Sequence, residues 1–301
     1  MSRNNRKFSA QLPFLLLLIP GIILTVIYSY GPMFGTVMAF QQYTPAKGFT
    51  GSPWIGMDNF TYLFQLPDFK NALRNTLFIA IMKIIFGLVA PLSVGLLLNE
   101  MRKMLIKRTI QTLIYLPHFL SWVIISGVLI DILSPSQGIV NDLLKAFGVQ
   151  PVFFLGNNHW FPWVIILSDT WKEFGFGTII YLAAMTGVNP SLYEAAAIDG
   201  AGRWKQTWHV TLPGIRPIVI LLVTLSLGRV LDAGFDQIFN LYSPITYESG
   251  DVIDTLVYRL GLKQAQFSVA AAAGLFRSVV SLILISVSYY IAKRFANYRI
   301  F

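Results

Sequence analysis

Three groups of ionisable residues stand inside otherwise apolar stretches: Asp169, Lys172 and Glu173; then Arg229, Asp232 and Asp236, followed by Asn240; then Arg277. Within hydrocarbon such side chains are costly, so they turn towards a bundle interior, towards water, or towards one another. In a hydrated cavity, Asp232, Asp236, Asn240 and Glu173 would accept hydrogen bonds from the donors of a polar, ring-containing solute. Trp171, Phe174, Phe235 and Tyr242 would offer flat apolar faces to its rings. Asp236 and Glu173 are the foremost of these eight candidates. The competing arrangement is structural, with Arg229 or Arg277 pairing with Asp232 or Asp236 to lock helices together. Arg74 and Lys83 interrupt a further apolar run without an evident partner, and Lys83 is expected to meet polar groups of a neighbouring subunit.

Other chemistry finds no support. His118, His159 and His209 are too scattered to argue a metal site, and there are no cysteines. No serine lies in a G-x-S-x-G frame. A phosphate-cradling G-x-x-x-x-G-K-[ST] loop is missing, since no Gly-Lys pair occurs anywhere. No catalytic residue is expected, and any ATP and Mg would belong to another chain.

The elements that must position these groups follow from composition. Of 301 residues, 55% are hydrophobic and only 12% charged, against about 25% charged in soluble domains. A surface this apolar needs a bilayer as solvent. The net charge of +9 does not point to nucleic acid, because the basic residues lie between apolar runs rather than on one soluble face. About 20 apolar residues cross the hydrocarbon as a helix, and six segments qualify: 11–40, 71–98, 110–133, 162–185, 215–242 and 271–292. The first is too long for the apolar core of a signal peptide and reads as an uncleaved helix. A single all-α domain over residues 1–301 is expected, with no repeat and no separate soluble part.

Orientation comes from the basic residues. With both termini in the cytoplasm, the inner segments hold Arg3, Arg6, Lys7, Arg102, Lys103, Lys107, Arg108, Arg203, Lys205, Arg216, Lys293, Arg294 and Arg299. The outer ones hold only Lys47, Lys70, Lys145, Arg259 and Lys263.

The loop between the fourth and fifth segments, 189–213, reads NPSLYEAAAIDGAGRWKQTWHVTLP. Ser191 and Glu194 form an S-x-x-E capping box that would start a helix near Leu192. Gly200 and Gly202 then allow a sharp turn. Arg203–His209 can form a second short helix limited by Pro213, with Trp204 and Trp208 on one face. Exposed Ala, Ile and Trp at a membrane surface fit either a protein docking face or an amphipathic helix lying on lipid.

This loop resembles the EAA loop of bacterial ABC importer permeases, E-A-A-x3-G-x9-I-x-L-P. Glu194, Ala195 and Ala196 open it, Gly200 follows at the right spacing, and Val210, with Leu212 and Pro213, closes it. Val210 for isoleucine is the one departure. Asp199, Ala201 and Trp204 look like the carbohydrate branch of that family. Tyr115-Leu116-Pro117-His118-Phe119, Phe235-Asp236-Gln237, Asn240-Leu241-Tyr242 and Asp254-Thr255 are similar to the LplB-type oligosaccharide permeases.

The resemblance implies the six-helix, MetI/MalF-like fold of a type I importer in the bacterial inner membrane. It also implies a second permease subunit, a paralogue on the family pattern, an ATPase dimer, and an extracytoplasmic solute-binding protein that delivers an oligosaccharide. Glu194, Ala195, Ala196, Asp199, Gly200, Leu212 and Pro213 would couple the permease to the ATPase. Two other readings remain. An ion-driven secondary sugar transporter would use Asp169, Glu173, Asp232 and Asp236 for protons or cations, although such folds are usually larger and built from repeats. A non-transporting membrane scaffold would need the loop for assembly alone.

Overall fold

The computed structural model describes residues 15–296, with side chains up to residue 290. The terminal residues Arg3, Arg6, Lys7 and Arg299, the first four residues of the expected first span, and the side chains of Lys293 and Arg294 lie outside that description. Among the described residues the chain is helical, with one isolated antiparallel bridge between Gln41 and Trp54.

The chain divides into two compact units. The first holds the described residues up to Gln65 together with Val257–Leu275. Helix α1, Leu15–Phe40, is 26 residues long and wholly exposed along its apolar part. It loosens to a π-turn at Val26–Tyr30 and then tightens to 3-10 geometry at Gly31–Phe40. Pro32 sits at the start of that stretch and has no N–H for a regular α bond. Asn59, on the short helix α2 (Asp58–Gln65), donates from Nδ2 to the carbonyls of Ala39 and Gln41 at 2.9 and 3.0 Å. The backbone N–H of Tyr43 donates to Ser268 Oγ at 2.9 Å.

The second unit, Leu66–Leu256 and onward from Phe276, is built on two long helices, α3 (Pro67–Asn99) and α7 (Phe161–Thr186). Small residues let them approach closely, as lipid-embedded helices require. A Cβ on Gly177 would lie 3.0 Å from Pro91 Cγ, and one on Gly95 would lie 3.3 Å from Tyr181 Cβ. Against this pair pack α4 (Met104–Tyr115), α9 (Arg203–Leu227) and α10 (Phe235–Leu241), and α5 (Trp122–Ile132) packs on α10. In chain order the remaining helices are α6 (Ile139–Ala146), α8 (Pro190–Ile198) and α11 (Ile253–Tyr258). The last helix, α12 (Phe267–Ala296), runs through both units.

Four helices, α1, α3, α9 and α12, are individually long and apolar enough to span a membrane, and α4 with α5 qualifies as one bent pair. Helix α7 has 26 residues, enough for about 39 Å at 1.5 Å per residue. Its Asp169, Lys172 and Glu173 keep it below the apolarity of the others.

Two of the six expected spans are interrupted. The third, expected as 110–133, folds through 102° between α4 and α5. Pro117 lies in a 3-10 turn at Leu116–Phe119, Leu120 is extended, and Ser121 restarts the helix by accepting the Ile124 N–H. The fifth, expected as 215–242, ends at Leu227 and resumes only at Phe235, after Gly234 at φ +88°. Arg229, Asp232 and Asp236 therefore do not line one helical face, as a continuous helix would have required.

Candidate functional site

The loop at 189–213 has well-defined geometry. Asn189, not Ser191, caps helix α8: its side chain accepts the Ser191 N–H at 3.0 Å. Pro190 at the first helical position fixes φ in advance and moves the start upstream of the expected capping box. The helix closes in a Schellman motif, with Ala201 N–H donating to Ala196 O at 2.8 Å and Gly200 N–H to Ala197 O at 3.1 Å. Gly200 occupies the left-handed position at φ +77°, with nothing within 4 Å of where a Cβ would stand. Its requirement for glycine is conformational, not spatial. Gly202 has an ordinary φ of −68°, so only one of the two glycines makes the turn.

The second helix does not stop at Pro213. Helix α9 runs on to Leu227, and a π-turn at Thr207–Thr211 precedes the proline. The Leu212 N–H reaches Thr207 O, five residues back. Widening that turn relieves the clash a proline ring makes with the carbonyl four residues earlier.

Two faces of this loop have different fates. Tyr193, Val210 and Leu212 pack against Tyr181, Met185, Val188 and Ile215, and Tyr193 Oη lies 3.0 Å from Thr211 Oγ1. Leu212 is thus an anchor. Glu194, Ala195 and Asp199 are exposed, as is Pro213, and Ala196 is half-buried. Ile198 is 87% exposed and Trp204 74%, which leaves a helix tip that none of the described residues covers. Trp204 and Trp208 meet edge to face at 6.2 Å. Arg203 lies 3.5 Å from Glu100, tying the loop to the α3–α4 connection and placing both basic segments at one end of the bundle.

Deep in the second unit, Lys83 lies midway along α3 and is satisfied by this chain alone. Its ammonium donates to Asp169 Oδ1 at 3.1 Å, to Gln237 Oε1, and to the carbonyl of Ala233 at 2.8 Å. Those three bonds use all three of its hydrogens. The expectation that a neighbouring subunit satisfies it is corrected. Ala233 is a residue whose carbonyl the broken fifth span leaves outside a helix, and such backbone is tolerated at membrane depth only where protein or water satisfies it. Gln237 carries the network on, donating to Ile165 O and Ser168 Oγ, both at 2.8 Å.

A second cluster braces the bend in the third span. Lys172 Nζ donates to the carbonyl of His118 and to Glu173 Oε1, each at 2.9 Å, and lies over the Trp122 ring. His118 Nδ1 lies 2.7 Å from Glu173 Oε2, and its ring stacks on Phe176. Glu173 is therefore held by two partners of its own chain. In a third cluster, Arg277 donates to Asp254, to the Leu231 carbonyl at 3.0 Å, and lies 3.9 Å from Asp232. The arginine thus pairs closely with Asp254 and only loosely with Asp232, which lies in the break of the fifth span and not on a helix.

The eight candidate solute contacts are not gathered in one place. Asp232 lines a polar cleft of about 280 Å³ with Lys83, Asp169, Ser226, Arg229 and Gly234. Asp236 and Asn240 lie one turn apart on α10, where Asn240 Nδ2 donates to the Asp236 carbonyl at 2.7 Å. Phe235 stacks on Phe239, and Tyr242 continues that aromatic row to Tyr247. Phe174 is half-buried. Trp171 lines a separate apolar cleft of about 320 Å³ with Trp160, Trp163 and Phe154. Lys83, Gln237, Ser168 and His118 escaped the reading of the sequence as site residues. The available signal was the pair of opposite charges, Lys83 and Asp169, each standing near the middle of an apolar run.

Interrupted spans around a polar cleft, with a glycine-turned helix bearing exposed apolar residues at one end of the bundle, are the features of a membrane transport permease. The family model for the inner membrane component of binding-protein-dependent transport systems matches residues 83–297. The chain belongs to that family. It is 43% identical over 286 residues to protein LplB of Bacillus subtilis, covering 95% of this chain and 90% of that one. It is equally 43% identical to the polygalacturonan/rhamnogalacturonan transport system permease protein YteP of the same organism, covering 95% and 89%. Its fold matches a chain of a bacterial ABC transporter for the acidic polysaccharide alginate, with TM-score 0.90 and 40% identity over 98% of this chain and 99% of that one. A second structure of an alginate transporter, in complex with a periplasmic protein bound to alginate pentasaccharide, matches with TM-score 0.89.

Proposed function

We propose that this chain, as one permease domain with both termini in the cytoplasm, carries an oligosaccharide from an extracytoplasmic binding protein into the cell. Movement is by alternating access, coupled to a separate ATPase dimer that holds ATP and Mg, and a second permease chain completes the pathway. The observation that carries this reading is helix α8: a rigid, Schellman-closed helix inside the E-A-A segment, with Glu194 and Ile198 exposed at its tip. ATP binding shifts the permease between inward- and outward-facing states only if the closed ATPase grips one arrangement of that helix better than the other. The oligosaccharide rests on the polysaccharide substrates of the permease YteP and of the alginate transporters.

The test is reconstitution of the complete transporter in proteoliposomes. Sugar-loaded binding protein is expected to stimulate ATP hydrolysis and to drive uptake that stops without ATP. Uptake that continued without ATP and collapsed with the ion gradient would replace this reading with the secondary-transporter one.

A further inference from the structure

The polar cleft described above holds four ionisable side chains, and three are already engaged. Lys83 and Asp169 bind each other. Asp232 accepts the Gly234 N–H at 3.3 Å and lies near Arg277, which it shares with Asp254. Arg229 is the fourth. It is exposed in the cleft, and among the described residues no carboxylate lies within 4 Å of it. Its place in the sequence is the break that ends α9, about 24 Å along the helix from Pro213, opposite the mid-point of α3.

We propose that Arg229 is an anion-binding residue of the translocation path, receiving the carboxylate of an acidic sugar; this rests on the oligosaccharide reading above. A guanidinium has five N–H donors and no acceptor. A sugar hydroxyl would occupy one donor and satisfy the guanidinium less well than an anion, because hydrogen bonds between ionised partners are roughly twice as strong as neutral ones. A uronate carboxylate takes two parallel hydrogen bonds and cancels the charge. Lys83 cannot substitute, because all its hydrogens are used within the chain. Ser226, on the same cleft wall, offers a hydroxyl for the neighbouring ring oxygens.

The experiment uses the full complex in proteoliposomes, with short oligogalacturonates and oligomannuronates, the same oligomers methyl-esterified, and a set of neutral oligosaccharides. The wild type is expected to prefer the free acids over their esters. Arg229→Gln is expected to reduce that preference roughly tenfold or more, the size of a charged hydrogen bond, while Arg229→Lys retains part of it. Equal preference in wild type and Arg229→Gln would overturn the proposal. So would an Arg229→Gln complex that failed to assemble while Arg229→Lys assembled, since Arg229 would then be pairing with the second permease. Uptake of neutral oligomers alone would overturn the anion site and leave oligosaccharide import standing. Uptake of no oligomer of either kind would overturn both.

Discussion

Lys83 and Asp169 lie 3.1 Å apart, on the two longest helices of the second unit, and the same ammonium caps the carbonyl of Ala233 in the break of the fifth span. One side chain thus neutralises a mid-membrane carboxylate and holds open an irregular stretch of backbone. Irregular backbone at membrane depth needs such a partner from protein or from cavity water.

Replacing Lys83 with Met should therefore do more than remove a charge. It strands Asp169, Gln237 and the Ala233 carbonyl, and breaking one side of a buried pair costs about 3–5 kcal/mol. Thermal unfolding of the detergent-purified complex is expected to show a large loss. The double variant Lys83→Met/Asp169→Leu should recover part of it, and a double variant no better than the single one would show that the pair is not the source.

Glutamate 173 was legible in the sequence as a polar group at membrane depth, but its partners were not. His118 is 55 positions away, beyond any helical spacing, and only the bend at Pro117 brings it near. The same limit applies to the fifth segment. Its apolar run reads as one helix because hydropathy does not register a glycine at φ +88°. The loop was legible for the opposite reason: its contacts are local, so Gly200 declared its turn by residue type alone. Helix starts were off by a residue or two where Pro190 outweighed Ser191.

Glu173→Gln keeps the shape and removes the charge that faces Lys172 and His118. If the brace is its main duty, the variant is expected to lower thermal stability by about 1–3 kcal/mol and leave sugar preference unchanged. Asp236→Asn, which removes an exposed carboxylate with no side-chain partner in the contacts described, should show the reverse pattern. Sugar preference that moved in Glu173→Gln without loss of stability would restore Glu173 to the cavity.

Close packing against α7 gives a further, independent prediction. A Cβ on Gly175 would collide with the carbonyl of Ile114, whereas one on Gly127 meets none of the described residues within 4 Å. Gly175→Ala is expected to destabilise the protein by about 1–3 kcal/mol through forced displacement of α4. Gly127→Ala, inside α5, should be neutral or mildly stabilising, since alanine loses less backbone entropy in a helix. Equal melting temperatures for the two variants would show that α4 yields without cost.

The coupling helix can be probed through conformation alone. At Gly200 there is room for a side chain but not for its backbone preference: a left-handed residue costs roughly 1–2 kcal/mol for alanine and less for asparagine, which tolerates that region. Gly200→Asn is thus expected to retain much of the ATPase stimulation by loaded binding protein, Gly200→Ala less, and Gly200→Pro little, while sugar capture by the binding protein stays intact in all three. Glu194→Ala should likewise lower stimulation, though its backbone is untouched. The order Asn, Ala, Pro separates a requirement for the turn from a requirement for small size, because a steric site would favour alanine over asparagine. Full ATPase stimulation and full uptake in all four variants would remove α8 from the path between nucleotide and sugar.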